Sequence, residues 1–245
     1  MNDKQLGAML DTIKQSDSVE LKATIPLPEQ RAALLALGLD PLQAQVRLVY
    51  FFDTPTLALQ RAGVVVRARR VQGKGEDTVV KLRPVVPTEL PDEWRTSRSF
   101  NVEVDAMPGG FVCSGSMKGV PSKATVQEVA TGAAPLRRIF SKEQRRFFDA
   151  YSPASANLDE LGMLGPVFVL KLKGTPPGAD RKYAVEAWLY PEGRILELST
   201  RCRIDEAMQV AGETRAFLSA RGIDLLGAQE TKTKTALQFF SLHPD

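Results

Sequence analysis

The chain has 245 residues, 43% hydrophobic and 25% charged, with 32 Lys and Arg against 29 Asp and Glu and a net charge of +3. This is the composition of a folded globular protein with material for a sizeable core, and so mild a charge excludes nucleic acid and membrane surfaces as expected partners. One histidine (His243) and two cysteines (Cys113 and Cys202) exclude a histidine-ligated metal, a Ser-His or Cys-His catalytic pair and a disulfide framework.

Met1–Ser16 mixes Asp3, Lys4, Asp11 and Lys14 with apolar residues and has no signal-peptide core, and no apolar run approaches a membrane span. A cytoplasmic location is expected. Asp17–Ile25 reads as a first strand, ended by Pro26 and Pro28. Glu29–Leu37 reads as a short helix closed by Gly38. Gln45–Phe52 is a second strand, Pro55–Ala62 a helical turn stopped by Gly63, and Val64–Val71 a third strand. Asp77–Arg83 is a fourth, ended by Pro84, and Thr96–Asp105 a fifth. Pro108-Gly-Gly marks a turn. Phe111–Ala130 reads as helical or irregular cover, and Leu136–Ala150 carries a sixth strand. Asn157–Gly162 is a short helix or loop. Pro166–Lys173, Lys182–Tyr190 and Arg194–Arg203 are the seventh to ninth strands, the last two joined by a tight turn at Pro191-Glu-Gly193. Ile204–Arg221 is a helix with an apolar stripe of Ile204, Met208, Ala211, Phe217 and Leu218, capped by Gly222. Glu230–Phe240 closes the chain, with Lys232 and Lys234 near its start. No repeat or linker divides residues 1–245. The expected class is α+β, mainly β: a single antiparallel domain with helices outside.

Residues i and i+2 of a strand share a face. Parity therefore groups Glu20 with Lys22, Arg67 with Arg69, Lys81 with Arg83, Glu103 with Asp105, and Lys171 with Lys173. Leu21, Ala68, Leu82, Val104 and Leu172 take the opposite faces. On the sixth strand, parity groups Lys142 with Arg146 and leaves Arg145 on the other side, unless a bulge shifts the register. Any one of these faces could be the solvated side of a half-buried sheet, but that reading must hold on every strand at once. The alternative is a barrel with a charged interior. Guanidinium groups bind phosphate oxygens two at a time. Carboxylates such as Glu20, Glu103, Asp105, Glu186 and Glu197 are the ligands that Mg²⁺ or Mn²⁺ prefers. Gly73-Lys-Gly75 lacks the spacing of a phosphate loop. Val185-Glu-Ala-Trp188 and Phe147-Phe148 read as core packing.

On these residues the chain resembles the CYTH superfamily, the triphosphate tunnel metalloenzymes, which includes class IV adenylate cyclases, thiamine triphosphatases and inorganic triphosphatases. The family's first-strand signature Glu-x-Glu-x-Lys is matched by Ser18-Val-Glu20-Leu-Lys22. Tyr50-Phe-Phe-Asp53-Thr-Pro55, running on through Leu57 to Arg70, is close to the family pattern. Weaker matches lie at Val80–Leu82, Val102–Asp105, Lys142–Arg146 and Leu196–Leu198. The resemblance implies an antiparallel barrel of about eight strands forming a tunnel. It implies a triphosphate held by Arg67, Arg69, Lys81 and a basic pair among Lys142, Arg145 and Arg146, with Lys22 facing the phosphates. Arg83, Lys171 and Lys173 join the substrate-binding candidates. It also implies Mg²⁺ or Mn²⁺ on Glu20, Glu103, Asp105 and Glu197, with Glu103 or Glu186 orienting a water.

Two positions depart from the pattern: Ser18 stands for the first glutamate of the signature, and Ser199 for the second of a Glu-x-Glu on the last strand. Fewer carboxylates mean weaker metal binding. The expected function is metal-dependent hydrolysis of a triphosphate, inorganic triphosphate first. The alternatives are a non-catalytic module for polyphosphate or organic phosphate, and a cyclase acting on ATP. The expected partner is a small triphosphate or polyphosphate, with a homodimer left open.

Overall fold

The computed structural model describes residues 13–121, 124–191, 193–223 and 232–242. Nine strands close into one barrel in the order β1-β5-β6-β4-β3-β2-β7-β8-β9. They are β1 (Ser18–Ile25), β2 (Gln45–Asp53), β3 (Val64–Val71), β4 (Gly75–Leu82), β5 (Phe100–Met107), β6 (Gly110–Gly119), β7 (Gly162–Gly174), β8 (Tyr183–Tyr190) and β9 (Gly193–Cys202). The helices are α1 (Gln30–Leu37), α2 (Ala58–Arg61), α3 (Asp92–Arg95), α4 (Val126–Ala130), α5 (Lys142–Tyr151), α6 (Ala207–Ser219) and α7 (Lys232–Leu242). None is long and apolar enough to cross a membrane.

The barrel is mixed rather than wholly antiparallel. β1 pairs parallel with β5, Glu20 level with Asp105, and antiparallel with β9. The long excursion from β1 to β5 supplies the crossover that a parallel pair needs.

The barrel is inside-out. Val19, Val64, Val66, Ala68, Val80, Val102 and Val104 face outward into a buried core beneath the covering elements, where Trp94, Phe147 and Phe148 pack. A second outer core joins Leu37 and Leu218 to Val185, Leu196 and Leu198. The third core lies inside the barrel. Inward-facing Val49, Phe51, Val167, Val169, Trp188 and Ile195 pack against Ala236 and Leu237 of α7. That helix closes the barrel at the ends of β2 and β8 and the starts of β7 and β9, so the interior is a cup.

Two segments differ from their expected form. Residues 110–119 are strand β6, not cover. Their Gly and Ser content obscures the strand pattern, and the small residues answer a packing need: a Cβ on Gly119 would lie 2.3 Å from Oε1 of buried Gln144. Residues 142–151 are helix α5, not a strand. Ser141 and Gln144 form a capping box, and Gln144, Phe147 and Phe148 are buried on one helical face. The fifth strand also starts later than expected, at Phe100, because Asp92–Arg95 is helical.

Candidate active site

Alternation along each strand and the register between strands assemble the interior. Hydrogen-bonded neighbours share a face, so Phe51, Arg67, Val79 and Lys118 form one inward row across β2, β3, β4 and β6. Val65, Lys81 and Ser116 form the next. Lys22, Ser199, Ala184 and Lys173 form a third row across β1, β9, β8 and β7. Glu197, Glu186 and Lys171 are neighbours in a fourth. The enclosed cavity measures about 1590 Å³.

One wall is acidic. Glu20, Glu103 and Asp105 each bring a carboxylate oxygen within 4.8 Å of the others. Internal cations already sit on them. Lys22 Nζ lies 3.0 Å from Glu20 and 2.7 Å from Asp105, and Arg201 lies 2.7 Å from Glu103. Lys81 and Arg83 each approach Asp105 at 3.5 Å. Burial alone would raise the Asp105 pKa, but Lys81 and Lys22 outweigh it and hold the carboxyl well below its usual range. For Lys22 burial would lower the pKa, and Asp105 and Glu20 instead raise it. Three hard oxygen donors on adjacent strands suit a divalent ion, which takes the rest of its shell from water and phosphate.

A second acidic pair lies apart from that cluster. Glu186 and Glu197 are Cα partners on β8 and β9. Lys232, from the first turn of α7, ion-pairs with both, at 2.6 Å to Glu197. Lys171 binds Glu186 at 2.6 Å, and the Trp188 indole donates to Glu186 at 3.2 Å. Burial opposes ionisation of Glu186, yet Lys232 and Lys171 keep its pKa well below normal. The Lys232 pKa is raised, because Glu197 and Glu186 outweigh burial. Glu197 therefore stands with Glu186 and Lys232, not with the three clustered carboxylates.

The opposite wall is basic. Arg69 is paired with Asp77 at 2.6 Å. Arg67 is not: its Nε is buried and has no hydrogen-bond partner. Burial, then the neighbouring Arg69, lowers its pKa to about 10. Lys81 is lowered too, by burial that Asp105 does not fully offset. A positive wall short of counter-charge is the electrostatic complement of an anion.

The cavity thus gathers Lys22, Arg67, Arg69, Lys81, Arg83, Lys171 and Lys173 with Glu20, Glu103, Asp105, Glu186 and Glu197. It does not gather Lys142, Arg145 or Arg146. These lie on α5, outside the barrel, where strand parity does not apply. Arg146 pairs with Glu93 at 2.7 Å and its guanidinium sits over Trp94, while Arg145 donates to the Arg137 carbonyl. Lys118 on β6 faces the cavity instead. Arg47, Arg201 and Lys232 line the cavity as well, beyond the expected site residues. Strand parity places Arg201 beside Glu197 and Ser199, whereas nothing in the local pattern singles out Lys232.

No protein-family model matches the chain, and no curated protein matches it in sequence. Solved structures do match. HpAC1 of Hippeastrum, a candidate adenylyl cyclase described as having a dominant triphosphatase activity, superposes with a TM-score of 0.62 at 18% identity, over 90% of this chain and 95% of its own. A candidate adenylate cyclase of Bacillus halodurans gives 0.61 at 11% identity, over 89% and 97%. The chain shares the barrel fold of these two solved structures. At these identities the shared barrel tolerates wide sequence change, and what distinguishes this one is the set of side chains inside it.

Proposed function

We propose that the protein hydrolyses a triphosphate, inorganic triphosphate foremost, with the help of a divalent ion. One observation carries the reading: half-buried Arg67, its Nε buried and unmet, stands in a basic wall facing the Glu20–Glu103–Asp105 cluster. Arg67, Arg69, Lys81 and Arg83 bind the phosphate oxygens. Lys22 bridges the cluster and the phosphates. Mg²⁺ or Mn²⁺ on Glu20, Glu103 and Asp105 would supply charge neutralisation at the transferred phosphoryl group. Both oxygens of Glu186 already accept from Lys171, Lys232 and Trp188, so its role is to hold those cations in place. Glu103 is left to accept a hydrogen bond from the attacking water. Water adds across the terminal P–O–P bond, releasing orthophosphate and pyrophosphate. The triphosphatase activity described for HpAC1 agrees with this reading.

The test is phosphate release from tripolyphosphate with Mg²⁺ or Mn²⁺, abolished by Arg67→Ala and by Asp105→Asn. Absence of release at any metal concentration rejects hydrolysis. Ser18 and Ser199 favour a second reading, a module that binds such anions without turnover. In that case tripolyphosphate raises the melting temperature but is not consumed. Ser18→Glu separates the two further. Ser18 is level with Glu103 across β1 and β5, so a carboxylate there raises Mn²⁺ affinity if it completes the cluster.

A further inference from the structure

We propose that the open mouth of the cup is an extension subsite for linear inorganic polyphosphate, holding the part of a chain that projects beyond Arg67 and Lys81. This rests on the triphosphate reading above and names the substrate class more narrowly.

The two ends of the barrel differ. At one end α7 lays Ala236 and Leu237 over Val49, Phe51, Trp188 and Ile195, so a ligand longer than the cup cannot continue that way. The other end is framed by the start of β5, the end of β6, the end of β7 and the start of β8. Arg98, Lys118, Lys173 and Lys182 stand at those four positions and line the cavity. All four are exposed, and none makes a side-chain ion pair or hydrogen bond among the described residues. By contrast the cations deeper in the cup, Lys22, Lys81, Lys171 and Lys232, all touch carboxylates. Sixteen basic and six acidic described side chains line the cavity, a surplus of ten. The interior can satisfy one triphosphate and still leave the rim cations without counter-charge.

Among the described residues, the same rim offers no aromatic ring for a nucleoside. Three aromatic residues among those described line the cavity: Phe51, Trp188 and Tyr183. Phe51 and Trp188 are buried at the closed end against α7. Tyr183 stacks on Phe217 outside the barrel, with centroids 5.3 Å apart and planes at 14°, and its hydroxyl meets Thr214. A base projecting from the mouth finds no ring to stack on, whereas further phosphates find free ammonium and guanidinium groups.

The experiment compares binding of tripolyphosphate and of a linear polyphosphate several times longer, without divalent metal so that neither is consumed. It uses the full chain and an Arg98→Ala/Lys118→Ala/Lys182→Ala variant. A longer chain also offers more internal binding registers, so the decisive quantity is how the variant changes the ratio of the two affinities. The variant is expected to weaken the longer chain by about tenfold or more and tripolyphosphate by less than about threefold. Equal losses for both lengths overturn the proposal, since they mark a general field rather than a subsite. So does a wild-type protein that binds both lengths alike, or a single-stranded oligonucleotide that competes as well as polyphosphate. Tripolyphosphate binding without a length effect removes the subsite alone. Failure of both phosphates to bind removes the triphosphate reading and the subsite with it.

Discussion

Arg67→Met separates what the basic wall does for the ligand from what it does to the fold. In the free protein half-buried Arg67 stands beside Arg69 and Arg47, and its buried Nε lacks an acceptor. Its pKa is lowered to about 10, so the charged form is disfavoured relative to water. At about 1.4 kcal/mol per tenfold, that fall corresponds to about 3 kcal/mol. Water in the open cup screens part of it, leaving about 1–2 kcal/mol of real cost. Methionine keeps the stem and removes the charge. In a chain of this size about 1 kcal/mol moves the melting temperature by roughly 2–4 °C. The ligand-free variant is therefore expected to melt about 2–8 °C above wild type by differential scanning calorimetry. The same variant should lose most of the stabilisation that tripolyphosphate gives wild type, because the anion is what relieves the charge. A ligand-free variant that melts several degrees lower refutes the reasoning, since Arg67 would then have a stabilising partner in the free cup.

Four further outcomes follow from the same electrostatics and packing. Lys232→Met leaves Glu186 and Glu197 side by side with Lys171 as the nearest remaining cation. It should lower stability by about 3 kcal/mol, and adding Glu197→Gln should recover at least half in urea titrations; an unchanged midpoint rejects the ion triad. The depressed pKa values of Glu20, Asp105 and Glu186 give stability that is present above the ordinary carboxylate range near 4 and lost as pH falls through the folded values. The raised values of Lys22 and Lys232 give stability present below the ordinary lysine value near 10.4 and lost only above it, so melting temperature against pH should be a plateau with an acid edge. Lys81 and Lys171 are shifted down, chiefly by burial, so tripolyphosphate affinity should start to fall at a pH below that lysine value, and Lys81→Arg should move the fall upward. Gly63→Ala should unfold or severely destabilise the chain: its φ is +76°, and a Cβ would lie 2.3 Å from the Arg83 carbonyl oxygen. A soluble, wild-type-like Gly63→Ala melt counts against that contact.

The barrel was legible where strands alternate strictly. Val64–Val71 puts valine and alanine outward and Arg67 and Arg69 inward, and the charges on β1, β4, β5, β7, β8 and β9 repeat the arrangement. A barrel with a wet interior and helix-covered exterior makes that alternation strong, because both faces are specified. Legibility failed on β6, where Gly115 and Gly119 replace side chains and weaken the period. It failed again at 142–151, where a basic run masks the 3.6-residue spacing of Gln144, Phe147 and Phe148. The parallel β1–β5 pair was hidden for another reason: parity fixes which way a side chain faces but says nothing of which strand lies beside which.

Lys232 marks the boundary between what spacing can reveal and what tertiary structure alone decides. It is not on a strand, and it enters the cup because α7 is anchored by Ala236 and Leu237 four and five residues further on. From there it reaches two carboxylates contributed by β8 and β9. Lys22 is its counterpart on the other acidic site. Its Cα partner on β9 is Ser199, which offers no charge, so its ammonium turns to Glu20 and Asp105. Each of the two acidic sites in the cup therefore holds a lysine. On this argument the two serines do not empty the acidic wall. They leave Lys22 to make its ion pairs with Glu20 and Asp105 alone.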